Sequence, residues 1–132
     1  MAGGVSMIFF TASGLSLSDA ARLLAARKFV VTQKVVAQEE DRLLVRLGSG
    51  PVLTIGLAEG VHISEEAVTI AKGGAHAADM SLCNARFEIA FDDLRAVLDD
   101  INTLIEAQLA LQNATQGFLF NSWNAKLTGP GE

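Results

Sequence analysis

Two histidines and one cysteine, His62, His76 and Cys83, are the residues of this chain best suited to bind a metal ion. Their spacing matches none of the patterns that bind zinc, and neither Cys-x-x-Cys nor His-Glu-x-x-His occurs. His76 and Asp79 would share one side of a helix if residues 75–82 were helical. A loop histidine followed by an aspartate in a helical first turn is the simpler interpretation. The sequence therefore predicts neither a metal ion nor a cofactor.

Side chains for nucleophilic or acid–base catalysis are equally sparse. The Gly-x-Ser-x-Gly sequence of a nucleophilic serine is absent, and Cys83, beside apolar and small residues, fits a buried packing role. The carboxylate pairs Asp92-Asp93 and Asp99-Asp100 are sequence neighbours, which point about 100° apart on a helix and cannot share a proton. No phosphate-binding glycine loop is present. We expect no catalytic residue, and the sequence favours a binding protein over an enzyme.

An alternative interpretation gives the two histidines a role in binding a small ligand. His62, His76 and Asn84 fall in one irregular region, and irregular regions often carry ligand sites. These residues could line a pocket between sheet and helices. The chain would then be a small-ligand-binding protein, or a minor enzyme, with its pocket near His62 and His76.

Composition limits the class of protein. The chain has 132 residues, half of them apolar, which suits one α+β domain over residues 1–132, with a loose N-terminus at 1–4 and a frayed C-terminus at 128–132. A single cysteine excludes an internal disulfide and fits the reducing cytoplasm of a bacterium. The apolar stretch at 7–10 is too short to span a membrane and no basic residue precedes it, so we expect neither a membrane segment nor a signal peptide. A net charge of −5 argues against nucleic acid or an anionic membrane as a partner.

Hydrophobic patterning predicts the elements that would position these residues. Ser16 and Asp19 have the spacing of a capping box, which predicts that a helix begins at residue 17. Three strand-like segments, 29–37, 43–47 and 52–57, are joined by a polar turn and by a Gly-Ser-Gly-Pro turn, which predicts an antiparallel meander. The predicted strands are 5–10, 29–37, 43–47, 52–57 and 86–91, and the tail over 115–123 adds a short piece with strand-like alternation. The predicted helices are 17–27, one from a Ser64 cap to about Lys72, and one from about 93 to 113. This order predicts an α+β fold, with an antiparallel or mixed sheet of four to five strands and helices packed on one face.

The last predicted helix is long and amphipathic. Its apolar stripe covers roughly 160° of the helical wheel, more than packing against one surface requires. Gln108 lies near the middle of the stripe, where a buried amide needs a hydrogen-bond partner. Gln108 of a second copy, across a two-fold axis, would supply one, and a group of the same chain is the alternative. The helix thus predicts a homodimer interface formed by Ile101, Leu104, Gln108 and Leu111.

The net charge of the chain lies on the same helix and the strand before it. Residues 88–106 contain six acids and one base, a balance of −5, whereas nine acids offset nine bases elsewhere. Asp92, Asp99 and Glu106 repeat every seven residues, so a single helix would carry them as an acidic row opposite the apolar stripe. This acidic row would attract a basic protein partner. A solvated face is the simpler alternative.

Trp123 is the third kind of candidate for partner binding. It lies in a tail that also contains Phe118 and Phe120. Tryptophan is favoured where proteins bind one another. The alternative is that the three aromatic side chains close the core.

Together these features predict a small cytoplasmic, non-enzymatic binding or assembly module. Its expected partner is a protein, either a basic one that meets the acidic row or a second copy of the chain. Small α+β folds of this character occur among toxin-neutralising immunity proteins and secretion chaperones, which suggests an immunity-type inhibitor or an adaptor. That comparison is an analogy at the level of fold class alone.

Overall fold

The computed structural model describes residues 3–12, 14–36 and 40–130. Seven strands and five helices lie within these residues, which confirms the α+β class. In chain order they are β1 (Gly4–Phe10), α1 (Leu17–Ala26), β2 (Val30–Val36), β3 (Glu40–Arg46), β4 (Leu53–Glu59), α2 (Val61–Ala71), α3 (Ala77–Met80), β5 (Ala85–Phe91), α4 (Leu94–Asp99), α5 (Ile101–Thr115), β6 (Phe118–Asn121) and β7 (Lys126–Thr128). None of the helices in this part of the chain has the length and apolarity needed to span a bilayer.

All seven strands form one antiparallel sheet in the order β2-β3-β4-β5-β1-β6-β7. The predicted meander is confirmed, because β2 pairs with β3 and β3 pairs with β4. The sheet exceeds the predicted four to five strands because the C-terminal tail folds back onto β1, with Met7 opposite Phe120, and β7 then pairs with β6. The tail satisfies backbone groups along an edge of β1 that would otherwise be exposed.

Helices cover both faces of the sheet, so the prediction that they pack on one face is wrong. Ile8 and Phe10 point to one face and Phe9 to the other, because successive residues of a strand alternate. Ile8 and Phe10 join a core with α1, α4 and α5, on what we call the first face. Phe9 joins a separate core with α2 and α3, on the second face. The unbroken apolar run of β1 needs cover on both sides.

Local capping signals set the ends of the first two helices. Ser16 and Asp19 form the predicted capping box at the start of α1, with the Asp19 N–H donating to Ser16 Oγ at 3.3 Å and the Ser16 N–H donating to Asp19 Oδ2 at 2.8 Å. The predicted Ser64 cap is wrong, because the N-cap of α2 is Gly60, four residues earlier. Gly60 has a φ of 128°, a conformation that disfavours any residue with a Cβ.

The prediction of one long helix over 93–113 is also wrong, because the helix is interrupted at Asp100. This residue, with φ −126° and ψ 57°, separates α4 from α5. Its carboxylate accepts a hydrogen bond from Thr103 Oγ1 at 3.1 Å, and Asp93 caps α4 by accepting from the Ala96 N–H at 3.1 Å. Aspartate favours such local bonds over a helix interior. The loop before β4 packs against the break, since a Cβ on Gly50 would lie 2.7 Å from Asp100 Oδ2.

Parts of the two predicted chain ends belong to the sheet. Gly4 is the first residue of β1, within the segment expected to be loose. Thr128 is the last residue of β7, and the carbonyls of Thr128 and Gly129 both accept from Gln112 Nε2 at 3.3 Å. Residues 1, 2, 131 and 132 of the two predicted ends lie outside the described residues.

Candidate functional site

The inner side of α5 holds most of the predicted dimer interface. Leu104 and Leu111 are completely buried in the first-face core. Gln108 is 7% exposed, and its Nε2 donates to Ser6 Oγ at 2.9 Å and to Asn121 Oδ1 at 3.2 Å. The chain itself therefore supplies the partner that the dimer hypothesis sought in a second copy. Of the four predicted residues, Ile101 alone presents substantial surface.

The outer side of α4 and α5 carries a row of exposed aliphatic side chains. Ile101, Ile105 and Leu109 are spaced four residues apart on α5, and Leu98 on α4 precedes them. All four are between 37% and 45% exposed. We call these four residues the α4–α5 ridge. Residues four apart lie on one side of a helix, so the three α5 residues form one line.

This arrangement explains the width of the apolar stripe. One half of the stripe faces the core and contains Leu104, Gln108 and Leu111, whereas the other half is the ridge. Sequence periodicity shows that the stripe is too wide for one contact. It does not show how the helix is rotated on the sheet, which decides which half faces outward. Of the four residues predicted for the dimer interface, Leu104, Gln108 and Leu111 therefore lie on the half that faces the core, and Ile101 belongs to the ridge.

The predicted acidic row does not lie on one helix. Asp92 precedes α4, Asp99 ends it, and Glu106 belongs to α5 beyond the break at Asp100. Glu106 accepts from Arg27 Nη1 at 3.2 Å, so its charge is paired within the chain. Asp92 and Asp99 are exposed, and neither makes an ion pair with another described side chain. These two carboxylates are the part of the row that remains available for a partner.

Trp123 lies in the turn between β6 and β7, against the core. Its ring meets Phe91 edge to face, with ring centroids 5.6 Å apart, and it packs on the first-face cluster while partly buried. The geometry matches the core-closing alternative. Binding of a partner by Trp123 stays a prediction.

The structure does not bring the two histidines together. His62 lies in the first turn of α2, whereas His76 follows the helix and contacts Phe118 with ring centroids 5.2 Å apart. From His62 to Ala71 the helix rises about 14 Å, and His76 lies five residues beyond its end. Asn84 accepts from the Ala12 N–H at 2.7 Å. The three residues therefore do not line one pocket.

Sequence reasoning missed the charged residues that do surround His62. Arg86 and Glu88 lie on the second face of β5, and Arg42 lies on β3. The signal was the clean alternation of β5, in which charged residues fill the side opposite Phe87 and Ile89. Alternation alone shows that this side of the strand is polar. It does not show that α2 covers it, because that contact joins elements far apart in the local pattern.

The remaining candidate for chemistry, Cys83, is 2% exposed. Burial, and secondarily the negative charge of Asp79, raise the pKa of its thiol to about 11. Within residues 3–12, 14–36 and 40–130, no three His, Cys, Asp or Glu side chains come together as metal ligands would.

Comparison with protein-family models, with curated proteins and with solved structures finds no match for this chain. No likeness therefore contributes to the functional argument.

Proposed function

We propose that this protein is a non-enzymatic assembly module that pairs with a second copy of itself through the α4–α5 ridge. The observation that carries the proposal is the line of large aliphatic side chains left exposed on α5 and continued by Leu98. Contiguous exposed apolar surface is typical of a site where another molecule binds. The homodimer predicted from the sequence is retained, but its contact residues become Leu98, Ile101, Ile105 and Leu109.

A second copy fits the three α5 residues of the ridge, because they are evenly spaced about Ile105. In an antiparallel pair related by a two-fold axis at Ile105, this residue meets its own copy and Ile101 meets Leu109. Rows of residues four apart also interdigitate in the commonest packing of two helices. The two-fold arrangement therefore buries each member of the α5 row against another aliphatic side chain.

Charge supports the antiparallel sense. The acids Asp92 and Asp99 lie towards the N-terminal end of the ridge, and α5 ends at the uncharged residues Asn113 to Gln116. An antiparallel pair places the acidic end of one copy beside the uncharged end of the other, whereas a parallel pair would bring like charges together. Opposed helix dipoles favour the same sense.

The dimer is expected to be weak. Four partly exposed side chains offer little apolar area compared with roughly 800 Å² per partner in a standard interface. Flanking residues such as Asn102 and Asn113, both exposed, must join the contact. We therefore expect self-association that depends on protein concentration.

A basic protein partner is a second candidate, favoured by Asp92 and Asp99. Both carboxylates are exposed at the end of the ridge, and the antiparallel dimer leaves room for them at its ends. An adaptor or an immunity-type inhibitor would use such a surface to attract a cationic protein by long-range electrostatics. Its signature is association that slows steeply as salt is added.

Sedimentation velocity over a range of concentrations tests the self-pairing. Wild-type protein should pass from monomer to dimer, and Ile105→Asp should weaken dimerisation by about a hundredfold, because it buries a charge at the two-fold axis. Val61→Asp is the matched control, because Val61 is 75% exposed and lies on α2, away from the ridge. A wild-type chain that stays monomeric at every concentration, or equal weakening by both variants, would contradict the dimer and leave the basic partner as the remaining candidate.

A further inference from the structure

The second face of the sheet contains a polar cavity at the start of α2, separate from the α4–α5 ridge. Its volume is about 100 Å³. Two guanidinium groups, one imidazole and one carboxylate line it, and the Glu66 carboxylate pairs with one of the guanidinium groups, that of Arg86. The lining residues are Arg42, Gly56, Leu57, Ala58, His62, Arg86 and Glu88.

Gly56 makes the space in which Arg42 lies. The register of β3 and β4 places Leu43 opposite Ile55, and hence Arg42 opposite Gly56, while Gly56 lies opposite Glu88 of β5. A Cβ on residue 56 would lie 3.0 Å from both Cζ and Nε of Arg42. The Arg42 guanidinium therefore lies directly over the glycine, on the surface of the sheet.

Two carboxylates hold Arg86 in place. Its Nη1 donates to Glu66 Oε1, its Nη2 donates to Glu88 Oε2 at 3.4 Å, and only 18% of the side chain is exposed. The third donor, Nε, is buried and has no acceptor among the described residues. A buried donor without an acceptor costs free energy, which marks Arg86 as a residue whose hydrogen bonds are incomplete.

The first turn of α2 adds a further positive pole. His62 belongs to this turn and lines the cavity, and the N-cap residue, Gly60, has no side chain that could accept from the exposed N–H groups. The N-terminus of a helix attracts anions through these N–H groups and through the helix dipole.

We propose that this cavity binds a small oxyanion, a carboxylate or phosphate group, between Arg42, Arg86 and the first turn of α2. Guanidinium groups match the planar and tetrahedral oxygens of these ions and bind them by charge-assisted hydrogen bonds. Glu66 and Glu88 fix the orientation of Arg86 towards the ligand. The site retains His62 from the predicted small-ligand pocket and excludes His76.

Titration of ¹⁵N-labelled protein with inorganic phosphate, and separately with acetate, tests the site at an ionic strength held constant with sodium chloride. The amide signals of Gly56, Gly60 and His62 should shift and saturate with at least one ion. Saturation by phosphate alone assigns a phosphate group, and saturation by acetate assigns a carboxylate. Shifts spread evenly over the surface, or none with either ion, would overturn the proposal.

Arg42→Gln should lower the affinity for the saturating ion by about tenfold or more, because it removes a charged donor. Arg95→Gln is the matched control, since Arg95 is an exposed arginine of α4. His62→Ala is a second variant, at an exposed position that leaves the sheet intact. Unchanged affinity in both Arg42→Gln and His62→Ala would overturn the proposal. Ile105→Asp should bind the ion as wild type does, so failure of the dimer and failure of this site are distinguishable.

Discussion

Gln108 joins three parts of the chain that are far apart in sequence. Its amide donates to Ser6 on β1 and to Asn121 on β6, and Ser6 Oγ in turn donates to Asn121 Oδ1 at 2.8 Å. These bonds fix α5 over the junction of the two strands. Sequence periodicity predicted a buried amide at this position. It could not identify the acceptors, because one of them lies 102 residues away.

The reactivity of the Cys83 thiol is also set by residues that surround it in the fold. A raised pKa of about 11 keeps the buried thiol protonated at neutral pH, with roughly one molecule in ten thousand ionised at pH 7. We predict that a disulfide reagent labels native protein very slowly at pH 7 and faster as pH rises towards 11. Protein unfolded in urea is the control and should react at once. Rapid labelling of native protein at pH 7 would contradict this account of the thiol.

At the scale of elements, sequence patterns correctly predicted the helices and strands whose formation depends on neighbouring residues. The capping box of α1 and the meander of β2 to β4 follow from side chains near one another in sequence. The break at Asp100 was missed because apolar spacing continues across it through Val97, Ile101 and Leu104. The Asp99-Asp100 pair was the signal, since aspartate is a poor residue for a helix interior.

Ser16→Ala tests the start of α1. We expect the free energy of unfolding, measured with urea, to fall by about 1 kcal/mol because an N-terminal N–H of the helix loses its acceptor. Ser18→Ala, at an exposed position inside α1, is the matched control and should change stability by less than about 0.5 kcal/mol. Equal effects of the two variants would show that the cap is not what stabilises the helix.

The same cap has a pH dependence with a definite sign. Hydrogen bonds from the backbone N–H and hydroxyl of Ser16 hold the pKa of Asp19 below its ordinary value of 3.8. A lowered pKa in the folded state stabilises the protein above pH 3.8, and this contribution is lost as pH falls through the lowered value. The difference between Ser16→Ala and wild type should therefore shrink in strong acid.

At the scale of the whole molecule, the sheet separates two surfaces to which we assign different roles. The first face is closed by α1, α4 and α5, whose outer side is the ridge, and the second face carries the oxyanion cavity beside α2. Neither surface could be predicted residue by residue from the sequence. The ridge depends on the rotation of α5, and the cavity joins residues of β3, β4, α2 and β5.

In the proposed homodimer, Ile105 meets Ile105 of the second copy at the two-fold axis. Ile105→Cys tests it directly, because cysteines at the axis can form a disulfide between two chains under mild oxidation. Val61→Cys is the control at a more exposed position, and buried Cys83 should take no part. We predict that Ile105→Cys becomes a covalent dimer while Val61→Cys stays monomeric. An Ile105→Cys protein that stays monomeric, or that cross-links no faster than the control, would contradict the claim.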